Sequence, residues 1–441
     1  MGRNSPEHRR RCPPRPPPRR HGPQDMASLP IPDELLAEIF VRLPTPTDLV
    51  RASAACVSFR RVVADRSFLR QFRKLHAPPL LGFLGPHTGF DPAERPHPSA
   101  SAATAVALAA DFSFSFLPAP DPAHRWVVWD VRDGRVLLRG MPLENSHGVV
   151  FTETVVCDPL HRRYLMLPSI PDDLAASVEG LRPRSCEIFL VPEGGDESTT
   201  AEETSFRVIW VGHYEDKLIT YVFSSSTRHW QAIRSLTWTD LSAGLLSSTE
   251  TTLFCRRQYV YGCFYWLPNS KHGIKMLVLN TRKMEFSIAE PPAEPKVCYR
   301  HITMVEAGEG RPGLVVLTYG PRGHIYTIWR NNNGSSSQWQ KDKVIPPSPG
   351  SGYVLRHSMG THLLLNHWGL SFDEELCPDL CTLDMKTLQI ERVCASTAQS
   401  FAYSNYPPSL SSPTVSNGKL SVDTRKDVEH DKYNFGGIMN S

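Results

Sequence analysis

Four times along the chain an Asp, Asn or Ser ends an apolar run and a bulky apolar residue follows six positions later: Asp158 with Tyr164, Ser224 with Trp230, Asn280 with Phe286, and Asp384 with Ile390. The intervening residues are polar and rich in Lys, Arg and Thr. Such a pattern predicts a hairpin, in which the opener starts a turn and the bulky residue on the returning strand packs inward. A fifth copy is expected in IYTIWRNNNGSSSQWQ, with a longer turn opened by Asn331 and Trp339 in the bulky role. With it, successive openers lie 66, 56, 51 and 53 residues apart. The interval is filled with short apolar runs such as RWVVWDV, TVVC, FRVIWVG, LITYVF, KMLVLN and LVVLTYG. FSFSFL, beginning near residue 112, reads as another. Short strands at this density and period predict an all-β propeller, with about six blades over roughly 330 residues.

Upstream, residues 29 to 75 are strongly helical. Leu35, Leu36, Ile39, Phe40 and Leu43 fall on one broad face of a helix. Pro44 and Pro46 are expected to stop it, and Thr47 or Asp48 to cap a second helix over LVRASAAC. SFRRVVAD then turns Phe59, Val62 and Val63 inward, and SFLRQFRKL opens at Ser67 and repeats its apolar residues as Phe68, Leu69, Phe72 and Leu75. Fewer than fifty residues of short helices bury little surface, so another protein is expected to cover part of their apolar face.

The order Leu29-Pro30, Asp33-Glu34-Leu35-Leu36, Ile39, Arg42-Leu43-Pro44, Asp48-Leu49, Cys56, Phe59-Arg60 and Ser67-Phe68 resembles an F-box, the motif that docks on the Skp-type adaptor of cullin ubiquitin ligases. Two positions depart from it: Val57 stands where the family often has a basic residue, and Phe59 where it often has Trp. Most of residues 111 to 400, with phrases such as VVCDPLHRRYLMLP and VYGCFYWL, resembles the F-box-associated, kelch-like β-propellers of plant F-box proteins. Together these resemblances imply an α+β multidomain chain, with a small all-α F-box bundle followed by an all-β propeller. They imply a non-catalytic substrate receptor of a Skp-cullin-F-box ubiquitin ligase, without a cofactor, working in the cytoplasm or nucleus. Its partners would be the adaptor, through it the cullin core, and a target protein. By the same resemblance Leu29, Pro30, Leu35, Ile39, Leu43, Pro44, Leu49 and Phe59 dock the adaptor or hold its surface in shape. For Leu35, Ile39 and Phe59 the residues alone leave bundle core as the other role. A different class also stays open: a propeller that binds a small ligand or glycan, or catalyses a reaction, with the helices as an unrelated appendage.

The expected boundaries follow from composition. Residues 1–25 are an Arg/Pro-rich leader expected to be disordered, with Met26 a second plausible start. Residues 26–76 form the helical domain, 77–110 a Pro- and Ala-rich connection, 111–403 the propeller, and 404–441 a polar tail from which a closing strand is expected. The leader carries seven Arg against Glu7 and Asp25, which is +5 of the net +3, so the remainder stands at −2. A folded part without basic excess argues against nucleic acid as the main ligand. No run reaches the ~20 apolar residues that span a bilayer. The N-terminus lacks the apolar core of a secretory leader, which would leave the sequon at Asn333 idle, and ten scattered Cys suit a reducing compartment.

Other chemistry is sparse. Gly308-Glu309-Gly310-Arg311-Pro312-Gly313 has the spacing of a dinucleotide-binding loop, but a strand follows it and Pro312 lacks the needed amide, so a turn is expected. His357, His362, His367, Cys377 and Cys381 are zinc-ligand types at permissible spacings. His362 and His367, however, have opposite parity along LLLN and cannot share one face of a straight strand. Neither a nucleophile elbow nor a Walker lysine loop is present.

Overall fold

The computed structural model describes Gly2 and residues 31–76, 78–87, 89–120, 124–142, 151–176, 178, 181, 183–191, 205–241, 254–268, 275–292, 302–320, 323–331, 339–345, 353–360, 362–367, 379–396 and 399–406. Leu29, Pro30, Met26, Asn333, Cys377 and the tail from residue 407 lie outside them. The chain divides into two compact units, residues 1–75 and 76–441.

Among the described residues the first unit has four helices: α1 (Asp33–Phe40), α2 (Pro46–Ala55), α3 (Val57–Ala64) and α4 (Arg66–Leu75). The cap of α2 corrects the expectation of Thr47 or Asp48. Thr45 is the cap, its Oγ1 accepting from the Asp48 N–H at 3.2 Å. Pro46 therefore opens α2 instead of serving to stop α1, because a first-turn N–H has no helical partner to lose. The same logic starts α4 at Arg66, where Asp65 Oδ1 accepts from the N–H groups of Ser67 and Phe68 at 2.9 and 3.0 Å. Leu36, Phe40, Val41, Leu49, Val62, Val63, Phe68, Leu69 and Phe72 form its buried apolar set among the described residues.

The second unit is a six-bladed propeller, with five four-stranded sheets and one three-stranded sheet among the described residues. Its first blade begins with β1 (Leu80–Gly85) and β2 (Gly89–Pro92), followed by α5 (Ala100–Ala109). The second blade holds β3 (His124–Arg132), β4 (Arg135–Pro142), β5 (Thr154–Asp158) and β6 (Arg163–Met166). After α6 (Asp172–Ala176), the third holds β7 (Ser185–Val191), β8 (Arg207–His213), β9 (Lys217–Ser224) and β10 (His229–Thr237). The fourth holds β11 (Phe254–Val260), β12 (Cys263–Pro268), β13 (Met276–Asn280) and β14 (Glu285–Ala289). The fifth holds β15 (Ile302–Glu306), β16 (Pro312–Gly320), β17 (Gly323–Asn331) and β18 (Trp339–Ile345). The sixth holds β19 (Tyr353–Met359), β20 (His362–His367), β21 (Asp379–Asp384) and β22 (Ile390–Ala395). The chain then returns to the first blade, where β23 (Phe401–Ser404) pairs antiparallel with β1, so residues from both ends of the unit complete one sheet.

Apolar runs dominate the middle strands, such as β4, β5, β8 and β13, because both their faces are covered, whereas the outermost strands β10, β14 and β18 carry exposed polar residues. In β5, Val155 and Cys157 pack toward the first blade, whereas Val156, pointing the other way, joins Trp210 and Phe223 of the third. Comparable clusters join Phe189 with Trp266, Met304 with Val278, and Leu317 with Leu365.

All four expected hairpins are present. Cys157 pairs with Tyr164, Phe223 with Trp230, Leu279 with Phe286, and Leu383 with Ile390. Each turn holds a non-glycine residue at positive φ four positions after its opener: Arg162 (51°), Arg228 (57°), Met284 (55°) and Leu388 (63°). In three of them the opener's carboxylate or amide oxygen accepts two backbone N–H groups, from Leu160 and His161, from Arg282 and Lys283, and from Lys386 and Thr387. Those bonds hold the left-handed residue in place. In the fifth copy Trp339 pairs with Asn331 itself, one position off the register of the other four.

Two expectations fail between residues 77 and 117. The stretch given as a connection contains β1, β2 and α5, and Ala102, Ala103 and Val106 of α5 are buried against the first blade. FSFSFL is two tight turns and no strand. Asp111 accepts from the hydroxyls of Ser113 and Ser115 at 2.6 and 2.5 Å, and Phe114 takes φ 58°, so local side-chain bonds displace the extended form. Phe112, Phe114 and Phe116 still pack against the core.

Candidate functional site

In the helical unit α1 has two apolar faces. Leu36 and Phe40 point inward, at 3% and 5% exposure. Leu35 and Ile39, one turn apart, face outward at 50% and 53%, and Ile31, just before the helix, is 40% exposed. Of the expected docking positions, Leu35, Ile39 and Pro44 are therefore accessible, whereas Leu43 is half-buried. Leu49 is fully buried and acts as core. Phe59 is half-buried and meets Phe40 edge-on at 4.9 Å, which braces α1 against α3. Val57, at the departure from the basic type, is 60% exposed and adds to the apolar surface. Arg61 pairs with Asp33 at 2.8 Å, a second link between α3 and α1.

In the propeller unit the innermost strands β3, β7, β11, β15, β19 and β23 surround a channel with a cavity of about 540 Å³. A hydrogen bond or ion pair joins each inner strand or its end to the next. The Leu190 N–H donates to Asp130 Oδ2 at 2.8 Å, and Arg257 pairs with Glu187 at 2.6 Å. Gln258 Oε1 accepts from the Met304 N–H, the Ser358 hydroxyl donates to the Met304 carbonyl, and Arg356 donates to the Ser400 carbonyl. The Tyr403 hydroxyl, 3.5 Å from the Gly134 carbonyl, completes the circuit. Arg257 also lies 3.4 Å from Asp130 and 4.0 Å from the centroid of Phe189, so its charge is shared between two acids and an aromatic face.

Sequence reasoning singled out His357 only as a zinc-ligand type and missed the other channel residues. Their signal was available: a charged residue inside the first apolar run of a blade, as Asp130 in RWVVWDV, Glu187 in CEIFLV and Arg356 in YVLRHSM. Irregular register adds to it. β-Bulges fall between Val128 and Asp130, between Phe254 and Arg256, and between Leu355 and His357, each next to channel-lining charges.

Among the described residues no group of three or more His, Cys, Asp and Glu is placed to hold a metal. His362 and His367 sit at opposite ends of β20, paired with Met359 and Tyr353, and His357 lines the channel. The loop at Gly308 is a turn between β15 and β16, closed by the Arg311 N–H on the Gly308 carbonyl at 3.0 Å. No described helix is long and apolar enough to cross a membrane.

Residues 30–74 match the F-box-like family. The N-terminal helical region is thus F-box-like, and a six-bladed all-β propeller follows it. No curated protein sequence matches the chain. Among solved structures it is similar to the β-propeller domain of the Trilobed protease from Pyrococcus furiosus, at 9% identity and a TM-score of 0.33, over 62% of this chain and 71% of that one. It is similar also to the exo-β-1,3-galactanase 1,3Gal43A from Clostridium thermocellum, at 11% identity and 0.33, over 64% and 65% of the two chains. A third is the acylaminoacyl peptidase of Pyrococcus horikoshii, at 8% and 0.33, over 61% and 39%. The chain spans less than two thirds of the length of the last two. Likeness at this level carries no argument about activity.

Proposed function

We propose that this chain is a substrate receptor of a Skp-cullin-F-box ubiquitin ligase. The observation that carries the reading is the uncovered stripe of Leu35 and Ile39 on α1, inside the segment that matches the F-box-like family. Covering the exposed halves of Leu35 and Ile39 would contribute roughly 1 kcal/mol each, the scale of partial burial of one aliphatic side chain. Leu29 and Pro30, by the resemblance to the F-box, would also take part in docking, with Leu43 and Pro44 following α1, while Leu49 and Phe59 hold the surface in shape. The chain itself would perform no covalent step. Its contribution is proximity: the helices hold the ligase core, the propeller holds a target, and a target lysine meets the ubiquitin-charged enzyme at raised effective concentration. The cytoplasm or nucleus is the proposed setting, and a kelch-like propeller of the plant type the proposed lineage. Cells expressing the full chain, or the chain without residues 1–76, provide the test. The half-life of a protein captured by the propeller should shorten with the first and lengthen with the second. A half-life unmoved by either would remove the receptor reading.

A further inference from the structure

Arginine and lysine are divided unevenly along the chain. Residues 1–216 hold 24 Arg and a single Lys, Lys74, whereas residues 217–441 hold 12 Arg and 11 Lys. An even share of the 12 Lys among the basic positions would put about six in the first part. In the fold the gap takes in every strand of the first two blades, whereas the third to sixth blades carry Lys217, Lys275, Lys283, Lys341, Lys343 and Lys386. Some arginines before residue 217 do what an ammonium cannot. Arg139 lies 5.3 Å from the Trp129 ring centroid and donates from Nε to Thr152 Oγ1 at 2.7 Å. Arg135 lies 5.5 Å from the Phe206 centroid and donates to the Ser205 carbonyl at 3.3 Å. Arg95, Arg125 and Arg162 are different: all three are exposed, and a lysine there would carry the same charge.

What separates the two side chains at an exposed position is nucleophilicity. In ubiquitin transfer a neutral lysine Nζ attacks the thioester carbonyl of the ubiquitin-charged enzyme. A C–N isopeptide bond forms, the C–S bond breaks, the sulfur leaves as a thiolate and the amine gives up a proton. A guanidinium, protonated at every physiological pH and with its lone pairs delocalised, cannot take that step. On the receptor reading, on which this inference rests, the effective concentration that presents a target lysine presents the receptor's own lysines as well. The propeller residues that follow the docking helices most closely along the chain are those without lysine. We propose that residues 75–216 lie within reach of the ubiquitin-charged enzyme in the assembled ligase, and that arginine in place of lysine there keeps the receptor from becoming its own substrate. Ubiquitin on the receptor itself is left to the lysines from residue 217 onward, of which Lys283, Lys341 and Lys386 are exposed.

The test reconstitutes the full chain with a Skp-type adaptor, a cullin core, ubiquitin, its activating and conjugating enzymes and ATP, and follows ubiquitin on the receptor itself by gel and peptide mapping. Two charge-conserving triple variants are compared: Arg95→Lys/Arg125→Lys/Arg162→Lys within the lysine-free region, and Arg228→Lys/Arg234→Lys/Arg282→Lys beyond it. All six positions are exposed, and Arg162 and Arg228 hold the same place in their hairpins, at φ 51° and 57°. Both variants should melt with the wild type, since each change keeps its charge at the surface. The first should be modified about fivefold faster than wild type or more, with ubiquitin on the new lysines, and the second within about twofold of wild type. With adaptor bound, a first variant modified no faster than wild type would overturn the proposal and leave the receptor reading standing. Equal acceleration by the two variants would do the same. A wild-type chain that does not bind the adaptor would overturn both.

Discussion

The two units treat apolar surface differently. Of ten exposed large apolar residues among those described, five (Ile31, Leu35, Ile39, Val57 and Leu75) fall within residues 31–75, and the other five are spread over the whole propeller. The helical unit is too short to cover all its apolar side chains, whereas each blade buries both its faces against neighbours in a closed ring. Self-sufficiency in the propeller and an unfilled surface on the helices is the arrangement that the proposed receptor role would require.

The sharpest way to break this contrast is through the propeller core. Trp230 is 7% exposed, donates its Nε1–H to the Pro168 carbonyl at 2.8 Å and lies 5.4 Å from the Phe223 ring centroid. Trp230→Ala should cost about 3 to 5 kcal/mol. Thermal melting should show the loss, while adaptor capture below the new melting point stays at the wild-type level. Capture that fell in step with stability would mean that the two units are not independent.

A smaller effect should come from a turn. The fully buried Asp158 accepts from the Leu160 and His161 N–H groups at 3.1 and 3.2 Å and meets His161 Nδ1 at 2.8 Å. Asp158→Ala leaves those groups without their acceptor and should destabilise the propeller by about 1 to 3 kcal/mol, read from denaturant unfolding. The same change at the part-exposed Asn280 should cost less, because water can replace a lost acceptor there.

The least effect is expected at Glu306, whose carboxyl is pushed above the usual range by burial. Below the ordinary glutamate range it is protonated in both folded and unfolded chains and imposes no penalty. As pH rises through the raised folded value, the favourable protonated state is lost and stability falls. Glu306→Gln should therefore melt slightly higher than wild type at neutral pH and alike in acid, and a difference that grows on acidification would contradict the assignment.

How much of this was legible depended on how local the cause was. The hairpin signature could be read because opener, turn and returning residue lie within seven positions, and one side-chain oxygen on two N–H groups sets the geometry. Helix α1 could be read from spacing, but the split between Leu36 and Leu35 could not, since adjacent apolar residues give no sign of which face is covered. FSFSFL misled because its alternation serves packing, while Asp111 and two serines set the backbone. The partner of β1 lies more than three hundred residues away in β23, and α5 is an alanine-rich helix without an obvious polar face. The channel was missed because its arginines come from three blades and meet only in space.

The measurement closest to the central claim is the affinity of the full chain for a Skp-type adaptor, compared between wild type and the double variant Leu35→Asp/Ile39→Asp by surface plasmon resonance. Both side chains are already half in water, so the variant should keep the wild-type melting temperature while its affinity falls by about tenfold or more. Wild-type affinity in the folded double variant would contradict the claim that this stripe is the docking surface.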